Sequence, residues 1–297
     1  MSYAWEYVSA EPLSTGLRRF GSNLSPIVGS AIAIWLLAHV GAVAAIGVAE
    51  FRKRAPFLLG LLVASLLATV PGLYFRPHYF IMLLPAVALL AGTGASLLDR
   101  TFSHRQSLLL KATPLAVVIA VLALSVYQQR QFFFEMTPEM ATRTSYRGSP
   151  FIESVEIGRF IEANSEEGDH IAILGSEPQI YFYAKRRSAT GYIYAYPLME
   201  AHPYARQMQE EMIAEIEAAR PRYLVVVHLP VSWLVRQKSD QMLLHWAQQY
   251  AVENYRPVGI VEMAAWNRTI YHWGSDAAGY VPRIPNSIAV FERIGGS

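Results

Sequence analysis

The segment FRPHYFIMLLPAVALLAG, residues 75–92, sets Arg76, His78 and Tyr79 together where an apolar helix begins. Cationic, ionisable and phenolic groups at such a border fit two roles. One is an interfacial belt, in which arginine snorkels toward headgroups and tyrosine anchors the helix. The other is a clamp on a lipid phosphate or pyrophosphate, since a guanidinium offers a bidentate fork and each charge-assisted hydrogen bond is worth about 1.5–3 kcal/mol. A second basic group, Lys185, Arg186 and Arg187, follows GSEPQIYFYA at 175–184. It reads either as a solvated helix end that complements the macrodipole or as a contact for phosphate headgroups or an anionic acceptor. Just before it, Gly175 and Ser176 open a helix whose N–H groups could take an anion. A lone glycine followed by Glu177 also reads as an ordinary tight turn with an acidic first turn. Tyr181, Phe182, Tyr183, Tyr192, Tyr194 and Tyr196 could stack on a sugar or pack this part of the chain against membrane helices.

Other chemistries lack their residues. The sequence has no cysteine, which removes disulfides, thiolate metal sites and cysteine nucleophiles. His202, His228, His245 and His272 are widely spaced, with no HExxH or paired i, i+4 arrangement, so no metal is expected. Neither a GxSxG elbow nor a P-loop occurs, and no cofactor is implied. Asn267-Arg268-Thr269 forms a glycosylation sequon that reads as a strand edge. A net charge of only +2 leaves no basic face for nucleic acid.

These residues must be positioned by a chain that needs two solvents. With 53% hydrophobic residues and a mean hydropathy of +0.23 it is too apolar for one water-soluble domain, and its long apolar runs all precede residue 128. Four runs reach the ~17–25 residues that cross a hydrocarbon core of ~30 Å: Pro26–Val48, Phe57–Phe75, Tyr79–Leu98 and Ala112–Tyr127, with Pro114 read as a first-turn proline. Residues 1–25 read as an external amphipathic segment without the apolar core of a secretory signal. Arg52, Lys53 and Arg54 in the loop 51–56, and Arg100, Arg105 and Lys111 in the loop 99–111, place both loops on the cytoplasmic side. Parity then puts the turn at Arg76, the N-terminus and everything after Gln128 outside. Arg18 and Arg19, just before the first span, run against this scheme.

Beyond residue 130 helical and strand periods alternate. Helices are expected at Pro150–Asn164, from Pro178, at Met208–Arg220 and at Ser239–Tyr250. Strands are expected at 170–175, 223–228, 258–263, 269–273 and 288–293. The expected fold is a multi-pass α-helical membrane region over 26–130, followed by a small extracytoplasmic α/β domain, residues 131–297, with a partly parallel sheet and helices on its faces.

FRPHYFIMLLPAVALLAG, the loop and helix after it, and IGRFIEANSEEGDHIAILGSEPQIYFYAKRRSATGYIY (157–194) together resemble the C-terminal half of bacterial polytopic GT-C glycosyltransferases. These are the family 39-like enzymes related to dolichyl-phosphate-mannose protein mannosyltransferases and to the aminoarabinose transferases of lipid A. YAWEYVSAEPLSTGLRRFGSNL (3–24) is similar to the external amphipathic segment that precedes the last membrane helices of that family. The resemblance implies an enzyme of the bacterial inner membrane that transfers a sugar from a polyprenyl-phosphate donor to an envelope acceptor on the outer face. Its partners would be the lipid bilayer and the lipid-linked sugar. In that family the catalytic base is an acidic residue in the first external loop of a longer chain, and nothing in this sequence matches it. The resemblance thus implies a truncated or split enzyme with a separate N-terminal half as partner, and it carries Arg76, His78 and Tyr79 over as donor-phosphate or active-site-rim residues. The alternative is a non-enzymatic, membrane-tethered module that binds envelope glycan or scaffolds a partner.

Overall fold

The computed structural model describes residues 12–103, 105 and 107–295. Residues 1–11 of the N-terminal segment, with His104 and Gln106 of the loop 99–111, lie outside the described residues. The chain forms two compact units, Met1–Glu135 and Met136–Ser297.

The first unit is helical: α1 (Leu13–Ser30), α2 (Ile32–Gly47), α3 (Ala55–Ala68), α4 (Leu84–Ser103), entered through a 3-10 stretch at Pro77–Leu83, and α5 (Leu108–Gln128). Its surface is apolar, with Leu36, Val43 and Ile46 of α2 and Leu115, Ile119 and Leu122 of α5 all exposed. Such a surface calls for an apolar solvent, in which helices keep their backbone groups satisfied. Two helical stretches, Pro77–Ser103 and Leu108–Gln128, are long and apolar enough to cross a membrane. A third qualifies only if α1 and α2, bent by 100° at their junction, are taken as one.

The boundaries depart from the hydropathy reading in definite ways. No helix starts at Pro26: α1 runs through it to Ser30, and the chain turns at Ala31. The run expected to reach Phe75 loses its helix after Ala68, which leaves a 14-residue element. The last run begins at Leu108, so Pro114 is interior rather than in the first turn. Hydropathy reports which solvent a residue prefers and carries no information on where a helix axis turns.

Helices α2 and α4 meet backbone to backbone. A Cβ on Gly41 would stand 1.7 Å from the Leu90 carbonyl oxygen, and one on Gly94 would stand 2.4 Å from that of Leu37. Small residues at a crossing permit this approach where packing, not water, drives helix association. Polar contacts tie these elements together. Glu50 and Arg100 pair, joining the chain after α2 to the end of α4. Gln129 donates to the Ser30 carbonyl at 3.4 Å, joining the end of α5 to the elbow at Ala31, and Asn23, within α1, donates to the Phe75 carbonyl at 2.9 Å, joining α1 to the turn before α4.

The second unit contains α6 (Pro138–Ser145), α7 (Phe151–Ala163), β1 (His170–Leu174), α8 (Gln179–Ala184), β2 (Arg187–Ser188), α9 (Ala205–Ala219), β3 (Tyr223–His228), α10 (Met242–Asn254), β4 (Tyr255–Ala265), β5 (Arg268–Trp273) and β6 (Ser287–Arg293). The sheet order is β2-β1-β3-β6-β4-β5. Strand β1 is parallel to β2 and β3, whereas β6 and β4 continue the sheet antiparallel, giving the mixed sheet. Alternation along β1 explains the layers. Ile171 and Ile173 pack with Ile157, Ile161 and Ile180 of α7 and α8 on one face, while Ala172 and Leu174 pack with Met212, Ile216 and Leu243 of α9 and α10 on the other. Helix α6 and the two-residue β2 have no counterpart in the sequence reading.

Candidate functional site

The residues singled out in the first unit converge on the turn before α4. The chain leaves α3 through Pro71–Leu73 and reaches Arg76, with Gly72, Leu73 and Phe75 all at positive φ (75°, 54° and 42°). Left-handed backbone at two non-glycine residues is uncommon and requires surroundings that hold it. Helix α1 supplies them. Asn23 binds the Phe75 carbonyl, Phe20 packs edge-on to the Phe75 ring with centroids 5.2 Å apart, and Gly16 lies so close to Leu73 that a Cβ there would sit 2.9 Å from the leucine Cβ.

Between α1 and this turn stands the Tyr74 ring, buried, with the Arg19 guanidinium carbon 5.4 Å and that of Arg76 5.6 Å from its centroid. The ring quadrupole attracts both cations. Arg76 is half-buried; His78 is exposed, and its ring meets that of Tyr79 edge-on at 4.8 Å. Beside them lies an apolar groove of 380 Å³ lined by Leu17 and Phe20 of α1, Val63, Leu66 and Leu67 of α3, and Phe75. Its polar lining residue, Thr69, turns its hydroxyl onto the Leu66 carbonyl at 2.7 Å. The site is thus a pair of guanidiniums next to a slot without free polar groups. The sequence reading found Arg76, His78 and Tyr79 but not Arg19 or Tyr74. The signal for Arg19 was its violation of the charge rule.

In the second unit the basic run does not form one surface. Helix α8 ends at Ala184, Lys185 takes a left-handed conformation (φ 52°), and its ammonium pairs with Glu162 at 2.7 Å. Arg186 is turned inward, donating to the Glu162 and Ser165 carbonyls at 3.2 and 2.7 Å and to Ser165 Oγ at 2.9 Å. It closes the C-terminal end of α7, where carbonyls lack helical partners. Of the two readings of the basic run, the helix-end role is the one these bonds resemble, although the end served is that of α7. Lys185 and Arg187 are exposed, the latter at the start of β2.

The turn at Gly175–Ser176 is likewise internal. Ser176 donates its N–H to Ser232 Oγ at 2.7 Å and accepts at Oγ from the Ala195 N–H at 3.0 Å, so the anion reading loses its donor. The aromatic series also disperses: Tyr181 OH accepts from the Ile173 N–H at 3.0 Å inside the domain, while Phe182 is 77% exposed. Glu177 is buried beside this turn and accepts from Gln179 Nε2 at 2.6 Å. Burial pushes its carboxyl above the ordinary 4.5, against the opposing hydrogen bonds of Gln179 and Ser232. A raised carboxyl favours the folded state while protonated, so its contribution is lost as pH rises above 4.5. Glu177→Gln is expected to raise the melting temperature of the detergent-solubilised chain by about 2–4 °C at neutral pH and by nothing at about pH 3, where the carboxyl is protonated in both states. An equal gain at both pH values would refute the assignment.

Searches of family models, curated proteins and solved structures found nothing that matches this chain.

Proposed function

We propose that this chain is the C-terminal part of a membrane glycosyltransferase of the GT-C type, and that its first unit holds a polyprenyl-phosphate sugar donor with the phosphate at Arg19 and Arg76. The observation that carries the reading is the juxtaposition of these guanidiniums with the apolar groove between α1 and α3. A doubly liganded phosphate suits the first, and an isoprenoid chain suits the second. During transfer the bond from the anomeric carbon to the phosphate oxygen breaks, and negative charge grows on the departing polyprenyl phosphate. Fixed guanidiniums beside that oxygen stabilise the charge as it develops. Tyr79 and the exposed His78 form the rim. The acidic base belongs, in this reading, to a separate N-terminal half.

The same reading has four membrane passages, α1 lying along the outer interface, and the α/β domain on the extracytoplasmic side of a bacterial inner membrane. Two features support it. The arginine-rich ends meet through Glu50 and Arg100, whereas Gln129 meets Ser30, which lies at the other end of α2 from Glu50. Arg19, anomalous under the charge rule, belongs to the same cluster as Arg76 and so has a reason other than topology.

Binding of undecaprenyl phosphate and of undecaprenol to the full chain in nanodiscs tests the proposal, read by native mass spectrometry. Arg76→Ala should weaken the phosphate lipid at least ~10-fold, in keeping with loss of one or two charge-assisted bonds, and leave the alcohol unchanged. Equal effects on both lipids, or on neither, would leave Arg76 as an interfacial anchor only.

A further inference from the structure

The second unit carries a cleft that none of the residues discussed so far explains. It has a volume of 570 Å³, within the ordinary range for small-ligand sites, and is built from three places in the chain: the end of α6 with the segment after it, the β4–β5 hairpin, and the residue before β6. Arg143 and Arg147 line it together with Tyr146, Trp266 and Asn286, and no acidic residue is among the described residues of its wall.

We propose that this cleft binds a saccharide bearing a carboxylate or phosphate group. Arg143 is a fixed donor. One Nη donates to Glu153 Oε1 at 2.7 Å and to Thr269 Oγ1 at 3.2 Å, and Glu153 is fully buried, so the guanidinium is locked from behind with its remaining nitrogens uncommitted. Because Glu153 balances Arg143, the unmatched positive charge of the cleft is that of Arg147. Tyr146 and Trp266 are 57% and 63% exposed, large for aromatic side chains on one concavity, and Tyr146 is braced edge-on by Phe151 at 5.0 Å. Aromatic faces flanking a cleft suit the C–H faces of a pyranose ring, the Asn286 amide can both donate to and accept from hydroxyls, and the arginines supply the anion's partners. A membrane surface is the poorer occupant. It is met by mobile basic side chains on a broad amphipathic face, whereas here Arg143 is held in place inside a concavity and Arg147 lines the same cleft. The site lies wholly in the second unit and is independent of the donor assignment above.

The test uses the full chain in nanodiscs of zwitterionic lipid, titrated with tetragalacturonate, its methyl ester, or a 6-phosphorylated maltose, with binding read by calorimetry and by saturation transfer. Binding of at least one anionic probe near or below ~1 mM is expected, at least ~10-fold weaker for the uncharged ester if the uronate is the ligand, and at least ~10-fold weaker in Arg147→Ala and in Trp266→Ala. Both replaced side chains are exposed, so the fold should be retained. Unchanged binding in either variant, absence of binding to both anions at about 10 mM, or equal affinity for the ester would overturn the proposal. So would Arg147-dependent binding to phosphatidylglycerol vesicles without binding to either soluble anion, which would reassign the cleft to the lipid surface.

Discussion

Gly41→Val will lower the stability of the first unit more than the other substitutions considered, because the new Cβ meets a neighbouring backbone whatever its rotamer. The Cβ position lies 1.7 Å from the Leu90 carbonyl oxygen and 2.8 Å from the Gly94 nitrogen. Overpacking against side chains costs about 1–3 kcal/mol because they can move aside. Here α2 and α4 must separate along their whole crossing, and Ala38, Ala45, Leu83, Val87 and Leu90 lose their shared core. A cost of about 3 kcal/mol or more follows, which corresponds to a fall of roughly 10 °C in the melting temperature of a unit this size. Size-exclusion profiles of heated, detergent-solubilised protein would report it. Gly60→Ala is the control, since α3 leaves open space around that position and the substitution only improves helix propensity. If Gly41→Val melts with the wild type, the close crossing is not what holds these helices together.

Glu262→Ala should have the second-largest effect. Glu262, on β4 and 1% exposed, receives hydrogen bonds from Tyr280 OH at 2.6 Å and from the backbone N–H groups of Arg283 and Ile284 at 2.6 and 3.0 Å. Burial alone would raise its carboxyl, but these donors outweigh it and hold the group below the ordinary 4.5. The chain between β5 and β6 is therefore fastened to the sheet by one carboxylate. Removing it strands three donors and should cost about 3 kcal/mol, or ~8 °C in melting temperature. Hydrogen exchange should rise first at Arg283 and Ile284. The sign with pH is set by the lowered value: the stabilisation is full above 4.5 and disappears as pH falls through the folded-state value, so wild type and variant should converge in acid. A difference that persists unchanged in strong acid would mean that the lost packing, not the ionised group, was responsible.

Local patterns in the sequence were sufficient for most elements of the second unit. The run YLVVVH reads as a doubly buried strand and is β3, Tyr223–His228, because five consecutive apolar or β-branched positions leave no polar helical face. Helix α7 and strand β1 follow from equally plain periods. Two residues, Arg187 and Ser188, contain no period, so β2 was invisible. The elbow at Ala31 was hidden for another reason: the run from Pro26 to Val48 carries no charged residue on either side of it, so a bend of 100° inside that run leaves no break in its pattern. The site was half legible. Arg76, His78 and Tyr79 are neighbours in sequence, but Arg19 reaches Tyr74 only through tertiary packing, which no spacing encodes. The basic run 185–187 looked uniform because its letters are uniform. Its three side chains go to an ion pair, a helix end and solvent.

The order of strands has a consequence for how the second unit is made. Strand β6, last in the chain, sits between β3 and β4, and those two do not pair with each other. Until residues 287–293 have left the ribosome, the domain consists of two separate sheet fragments, β2-β1-β3 and β4-β5, each with an open edge at the seam. Unpaired edges of this kind recruit other chains. The closing step is therefore both late and cooperative, and a stall just before Ser287 would leave two open-edged fragments prone to aggregate instead of a slightly shortened domain.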